Sequence, residues 1–178
     1  TVTVTASLEG NDDIAKVYTI VQLPEAVDLS AEGTANCYIV NKAGTYKLNA
    51  KVQGNGAKTY KINPETLNPS DGILVWSSSD QNIIGDVVYK NGYLYFTTSG
   101  EDGNAVVAVR EGDDLTGKYV AWSWHIWMTS ADMNDPANQY EVSDLTQAVA
   151  ATWMDRNLGA MSDGDLGTVD DIHKSFGM

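Results

Sequence analysis

The single cysteine, Cys37, and the two histidines, His125 and His173, are the first candidates for a nucleophile, a general base or a metal ligand. The sequence has no His-x-x-x-His, no His–carboxylate spacing and no Cys-x-x-Cys, so a metal site of these types is not indicated. It also has no Gly-x-Ser-x-Gly, no phosphate-binding loop and no Gly-x-Gly-x-x-Gly. We therefore expect Cys37 to pack as an inert apolar residue and His125 to be a hydrogen-bonded structural residue. The sequence predicts no catalytic residue and hence no enzyme.

Acidic side chains form clusters on predicted turns, where hard oxygen ligands can bind Ca²⁺. The most favourable cluster begins like an EF-hand loop but lacks the third acidic position and the closing glutamate; it contains Asp163, Asp165, Asp170 and Asp171. Two shorter clusters are Asn11-Asp12-Asp13 and Asp113-Asp114. A Ca²⁺ site and ordinary solvated turns both remain open, and solvated turns are the favoured interpretation. Calcium is the only cofactor that the sequence leaves open, and no pair of glycosidase carboxylates stands out among the 24 acidic residues.

Four aromatic residues could form an exposed platform for sugar rings: Trp76, Tyr93, Tyr95 and Trp127. The apolar C–H faces of sugars stack on such rings. The competing interpretation is that a second layer of the fold covers these side chains.

The composition excludes several classes of partner. The chain of 178 residues carries a net charge of −13, which argues against nucleic acid and anionic lipid as partners. One cysteine cannot form an intrachain disulfide, and no apolar run of 18 residues predicts a membrane span. No signal peptide is present, and the sequence starts within a predicted strand without an initiator methionine, so we expect a piece of a longer protein.

The elements that must position these residues are β-strands. The predicted strand with the largest side chains covers residues 121–129. Read with period two, this stretch places Trp122, Trp124, Ile126 and Met128 on one face. The other face is mixed and contains Ser123, His125, Trp127 and Thr129. The first face therefore predicts a strand that lines a hydrophobic core.

The clearest local signal is the dipeptide Asn91-Gly92 between two alternating stretches. A two-residue type I′ turn needs positive φ at both positions, which these residues tolerate. Such a turn fixes the register, and pairs Tyr89 with Leu94, Val87 with Phe96, Lys90 with Tyr93 and Val88 with Tyr95. We expect the face with Val87, Tyr89, Leu94 and Phe96 to be core.

Further strands at regular spacing predict an all-β antiparallel sandwich, with a barrel as the alternative. We expect three parts: an N-terminal hairpin in residues 1–24, a sandwich in residues 25–130 and a partly irregular extension in residues 131–178. Residues 24–33 are expected to form a linker and residues 53–70 a long loop. A short helix is expected at residues 143–151, and disorder or a loop at residues 162–178.

Several blocks of this sequence resemble a recurring arrangement in surface and fimbrillin-type lipoproteins of Bacteroidetes. The order and spacing of the blocks match over residues 34–160; they are Ala35-Asn-Cys-Tyr-Ile-Val, Ala43-Gly-Thr-Tyr-Lys, Gly103-Asn-Ala-Val-Val-Ala, Trp122-Ser-Trp-His-Ile-Trp and Met154-Asp-Arg-Asn-Leu-Gly-Ala. The resemblance implies an Ig-like sandwich within an exported protein made of several modules. The last block resembles the start of a following module, of the type called the major paralogous domain of Fibrobacter, which would be truncated here.

The resulting functional hypothesis is a non-catalytic module at the extracellular surface, for adhesion or contact with a surface glycan or another surface protein. A structural spacer or pilus subunit assembled by strand exchange is one alternative. An accessory domain of a surface glycoside hydrolase is another.

Overall fold

The computed structural model describes residues 2–8, 11–20, 25–59, 63–78, 83–142 and 151–177, with the backbone alone in the first two ranges and at residues 142 and 151. Strands dominate these ranges: β1 (Val2–Leu8), β2 (Asn11–Ile20), β3 (Val27–Asp28), β4 (Cys37–Val40), β5 (Gly44–Asn49), β6 (Asp71–Ser77), β7 (Ile84–Lys90), β8 (Tyr93–Thr98), β9 (Gly103–Asp113), β10 (Gly117–Met128), β11 (Gln139–Val142) and β12 (Ala151–Met154). A 3₁₀ turn covers Pro136–Asn138, and the helix α1 covers Val169–Lys174. No helix in the described part of the chain is long and apolar enough to cross a membrane.

Two four-stranded sheets form the sandwich, one in the order β4-β10-β9-β6 and the other in the order β3-β5-β8-β7. Within the described residues neither sheet closes on itself, so the all-β sandwich prediction is confirmed and the barrel alternative is not. The sheets are mixed rather than purely antiparallel, because β4 runs parallel to β10 and β3 runs parallel to β5.

The core lies between the two sheets and contains the side chains that the alternation pattern predicts. Trp124, Ile126 and Met128 of β10 are all buried to 1% exposure or less. From the other sheet they meet Leu94 and Phe96, which are equally buried. Burial of each such aliphatic or aromatic side chain stabilises the fold by about 1.5–3 kcal/mol. Trp122 is only partly buried and packs at the margin of this core.

The β7–β8 hairpin has the predicted turn, with φ of 53° at Asn91 and 87° at Gly92. The register matches the prediction for three pairs, which are Lys90 with Tyr93, Tyr89 with Leu94 and Val88 with Tyr95. The prediction that Val87 pairs directly with Phe96 is wrong. A bulge between Gly85 and Val88 shifts the register there, and Asp86 within it has a φ of 50°.

Strand β6 approaches the opposite sheet closely at Gly72. A Cβ atom at this position would collide with Leu94 Cδ1 and lie 3.0 Å from the Tyr89 backbone nitrogen. Only glycine lets the edge strand β6 close against β7 and β8.

The N-terminal hairpin is present, since β1 pairs with β2 in antiparallel register from Val2–Ile20 to Leu8–Asn11. The tip of this hairpin lies outside the described residues. The predicted linker at residues 24–33 is not entirely irregular, because it contributes the edge strand β3.

The C-terminal extension has more structure than the sequence predicts. Strands β11 and β12 form a separate two-stranded sheet, and α1 lies in the tail that we expected to be a loop or disordered. Thr168 caps α1, because its hydroxyl accepts a hydrogen bond from the Asp171 backbone nitrogen at 3.1 Å. The predicted helix at residues 143–151 falls outside the described residues, apart from Ala151, which begins β12.

The extension is attached to the sandwich through the side chain of Asn104 on β9. Its Nδ2 atom donates a hydrogen bond to the Gly159 carbonyl at 2.9 Å, and Asn104 is only 5% exposed. Ala160, the next residue, and Met133 are also buried, although neither belongs to the cluster between the sheets. The segment around Gly159 therefore lies over the outer face of β9.

Candidate functional site

The outer face of the sheet β3-β5-β8-β7 carries two of the four predicted platform residues. Tyr93 and Tyr95 alternate along β8 with the buried residues Leu94 and Phe96, so both phenol rings point away from the core. The ring centroids lie 6.4 Å apart with an interplanar angle of 60°. Both residues are partly exposed.

Charged side chains flank the two rings. Lys47 of β5 pairs directly with Tyr95, and its ammonium nitrogen lies 5.0 Å from the centroid of the Tyr93 ring. This is a cation–π contact, in which the ammonium group lies over one face of the Tyr93 ring. The same nitrogen lies 4.0 Å from a carboxylate oxygen of Asp28, at the edge of the sheet.

A groove of about 660 Å³ runs beside Tyr95 on this face. It is lined by Thr45, Asp86, Val88, Lys90, Asn91, Tyr95, Phe96 and Thr97. The volume lies in the range of small-molecule sites. The bulge in β7 brings Asp86 to the rim of this groove, beside the exposed side chain of Val88. We call this surface, from Lys47 and Tyr93 to Asp86, the tyrosine face.

The other two predicted platform residues are not on the tyrosine face. Trp76 lies on β6 of the opposite sheet and is 45% exposed. Trp127 lies on β10 and is completely buried, so its prediction as an exposed platform residue is wrong. Trp127 pairs with Asn104 across the ladder, and the extension that Asn104 holds covers this end of the sheet.

The predicted calcium ligands have separate local roles. Asp171 accepts hydrogen bonds from the Ser162 hydroxyl and the Leu166 backbone nitrogen. Asp170 forms an ion pair with Lys174, and Asp163 accepts from the backbone nitrogen of Asp165. In the described part of the chain no three acidic, histidine or cysteine side chains are grouped so that they could hold a metal ion. The geometry therefore does not bring the four carboxylates together.

The structure joins two residues that the sequence gives no reason to connect. Cys37 and His125, 88 positions apart, are direct partners in the parallel pair β4–β10, and Cys37 Sγ lies 3.3 Å from His125 Nδ1. On the other side of the ring, His125 Nε2 lies 2.8 Å from Asn104 Oδ1. This confirms that His125 is hydrogen-bonded, but the Cys37 thiol contacts an imidazole rather than apolar side chains alone.

Burial governs the ionisation of this pair. Burial raises the pKa of the Cys37 thiol to about 11 and lowers the pKa of His125 below its ordinary value. Both shifts favour the neutral thiol and the neutral imidazole. Nothing in the sequence indicates that Asn104 lies beside Cys37 and His125, since the only signal at Asn104 is its place at the start of a predicted strand.

Comparison with family models, with the sequences of known proteins and with solved structures finds no match for this chain. The resemblance to fimbrillin-type lipoproteins therefore stays a prediction.

Proposed function

We propose that this chain is a carbohydrate-contacting module of an exported bacterial surface protein, and that the tyrosine face is its binding surface. The observation that carries the proposal is the pair of partly exposed rings, Tyr93 and Tyr95, beside a groove of about 660 Å³.

The chemistry of the tyrosine face suits a sugar better than a purely apolar ligand. The rings offer apolar faces for the C–H groups of a pyranose. Around Tyr95, the hydroxyls of Thr45 and Thr97 and the charges of Asp86 and Lys90 offer donors and acceptors for sugar hydroxyls. A few polar groups around an apolar contact surface are what orient a ligand in such sites.

The cellular setting is part of the proposal. The acidic charge, the β-sandwich and the resemblance to Bacteroidetes surface proteins support a place at the outer surface. Reading the complete gene tests this, since an export signal should precede this segment in the full protein.

A glycan array probed with the full chain tests the binding proposal. Tyr95→Ala should weaken binding to any glycan detected by about tenfold, which corresponds to a loss of about 1.4 kcal/mol. Tyr140→Ala is the matched control, because Tyr140 is 54% exposed on β11, away from this face. The array is run with Ca²⁺ and with a chelator. Absence of binding at millimolar glycan, or an equal loss in both variants, would overturn the proposal.

A second function, assembly by strand exchange, is favoured by one observation. In the described residues β1 and β2 form a sheet of their own, separate from the two sheets of the sandwich. A two-stranded hairpin alone is marginally stable in water, so a neighbouring sheet edge would stabilise it. Size-exclusion chromatography with light scattering, with and without residues 1–24, tests this. Assembly that depends on the hairpin is expected, and monomers in both cases would rule it out.

A further inference from the structure

The outer face of the sheet β4-β10-β9-β6 carries a row of four residues, one from each strand. Trp76 pairs with Val106, Val106 pairs with His125, and His125 pairs with Cys37. Directly paired residues point to the same face of a sheet. With strands about 4.8 Å apart, the backbones of Trp76 and His125 are separated by about 10 Å. A half-exposed indole ring therefore lies within the length of a small ligand from a thiol–imidazole pair.

The hydrogen bonds of Asn104 fix which imidazole nitrogen carries the proton. Because Asn104 Nδ2 donates to the Gly159 carbonyl, Oδ1 is the atom that faces His125 Nε2. An amide oxygen can only accept, so Nε2 must carry the hydrogen. The neutral ring has one N–H group, which leaves the lone pair of Nδ1 directed at Cys37 Sγ, and the thiol donates to it.

We propose that Cys37, His125 and Asn104 form a nucleophilic site that takes the acyl group of carboxylic esters held against Trp76. Cys37 is the nucleophile and His125 the general base, while Asn104 is a positioning residue. A thiol, an imidazole and an amide in this order form one of the known arrangements for acyl transfer.

The step balances without an oxidant or a metal. As Cys37 Sγ attacks the ester carbonyl carbon, the thiol proton moves to His125 Nδ1. The S–C bond forms and the C–O bond to the alcohol breaks, and the departing alkoxide takes the proton from His125. The products are S-acyl Cys37, a free alcohol and a neutral imidazole.

The surroundings of His125 fit proton transfer during attack rather than a thiolate formed beforehand. Of the residues facing His125 from β4 and β9, namely Cys37, Asn104 and Val106, only Cys37 titrates. Burial alone accounts for the lowered pKa of His125, with no charged group contributing. The imidazole is therefore ready to accept a proton at neutral pH, while the thiol still carries one.

Trp76 suggests the class of ester. Its indole ring is 45% exposed, and Val106 continues an apolar surface from it towards His125. An ester with a flat aromatic or sugar ring on one side could stack on the indole while its carbonyl reaches Cys37.

Acylation of the full chain by 4-nitrophenyl acetate tests the proposal, since Cys37 is the only cysteine and its adduct can be located by mass spectrometry. The expected rate of 4-nitrophenolate release is nearly constant from about pH 7 to about pH 9, because the base is neutral and the thiol protonated throughout. A rate that rises tenfold per pH unit would overturn the proposal, because it describes an unassisted thiol.

Substitution of each histidine tests whether His125 is the general base. His125→Gln should lower the rate near neutral pH by about 100-fold, whereas His173→Gln is the matched control and should leave it unchanged. An unchanged rate in a folded His125→Gln protein, judged by circular dichroism, would also overturn the proposal.

Asn104→Asp keeps an acceptor for His125 Nε2 but adds a negative charge, so it should raise the pH at which the rate falls on the acid side. An unchanged pH would show that a charge at position 104 does not act on the group whose protonation controls the rate, which would remove Asn104 from the site.

Trp76→Ala should slow the reaction with the aryl ester by about 2- to 10-fold, but should not slow alkylation by the small reagent iodoacetamide. Equal slowing with both reagents would contradict the role of Trp76 in holding the ester.

Discussion

Tyr95 on β8 and Trp127 on β10 both point away from the core, one from each sheet, yet only Tyr95 reaches solvent. The tyrosine face is open, and a groove runs along it. On the opposite sheet the C-terminal extension covers the end near Trp127, which is 0% exposed. Alternation along a strand therefore tells which side chains leave the core, but only a third layer decides whether they stay exposed.

The same comparison explains where chemistry can occur. On the open face, rings and charges meet water and suit reversible contact with a polar ligand. On the covered face, Cys37 and His125 are partly buried, and this burial favours the neutral form of both. Substitutions on the two faces test this difference.

Trp127→Ala should lower the free energy of unfolding by about 3–5 kcal/mol, because it empties a buried site of indole size. Urea unfolding measures the loss. Trp76→Ala is the matched control, and should change stability by less than about 1 kcal/mol because Trp76 is exposed. Similar losses in both variants would show that the extension does not cover Trp127 tightly.

Asn104→Ala should lower the free energy of unfolding by about 1–3 kcal/mol, since it removes a buried hydrogen bond to Gly159 and a partly buried one to His125. It should also release the segment around Gly159 and speed trypsin cleavage after Arg156, whose side chain is only 10% exposed. Asn157→Ala is the control, because Asn157 is exposed. Cleavage at the wild-type rate would contradict the attachment.

Burial of His125 should make the fold less stable in mild acid. Its pKa is lower in the folded than in the unfolded chain, so between the two values the unfolded chain binds more protons. The contribution of His125 to the free energy of unfolding is therefore fully present above the pKa that His125 has in the unfolded chain. This contribution is lost as the pH falls towards the lower pKa that His125 has in the folded chain. Urea midpoints at about pH 7.5 and about pH 5 should differ more in the wild type than in His125→Gln. Equal differences in the two proteins would contradict the role of His125 in this loss of stability. His173→Gln is the control.

Tyr95→Ala should change the free energy of unfolding by less than about 1 kcal/mol, the range of cross-strand surface pairs. The same substitution should weaken glycan binding, so the tyrosine face would prove functional rather than structural. Thermal unfolding measures the first effect. A loss as large as that of Trp127→Ala would mean that Tyr95 supports the fold.

Local signals in the sequence predicted the parts of the fold that local chemistry determines. Asn91-Gly92 gave the turn and most of the register of β7–β8, because positive φ at both positions leaves few alternatives. Alternation gave the inner faces of β8 and β10, where Leu94 and Trp124 are buried.

Features that depend on distant parts of the chain escaped the sequence analysis. No periodicity reveals that β4 lies parallel to β10, and so none reveals that Cys37 meets His125. The burial of Trp127 depends on a segment more than thirty residues further along, around Gly159. The bulge at Asp86, which shapes the groove of the tyrosine face, also has no signal in residue type.

The hydrogen bond from Asn104 to Gly159 matters to anyone who divides this protein for expression. A boundary near residue 130 looks natural in the sequence, since the last sandwich strand ends at Met128. A fragment that stops there would expose the indole of Trp127 to water and leave the amide of Asn104 without its carbonyl acceptor. Such a fragment should aggregate, so the shortest soluble version should extend beyond Ala160.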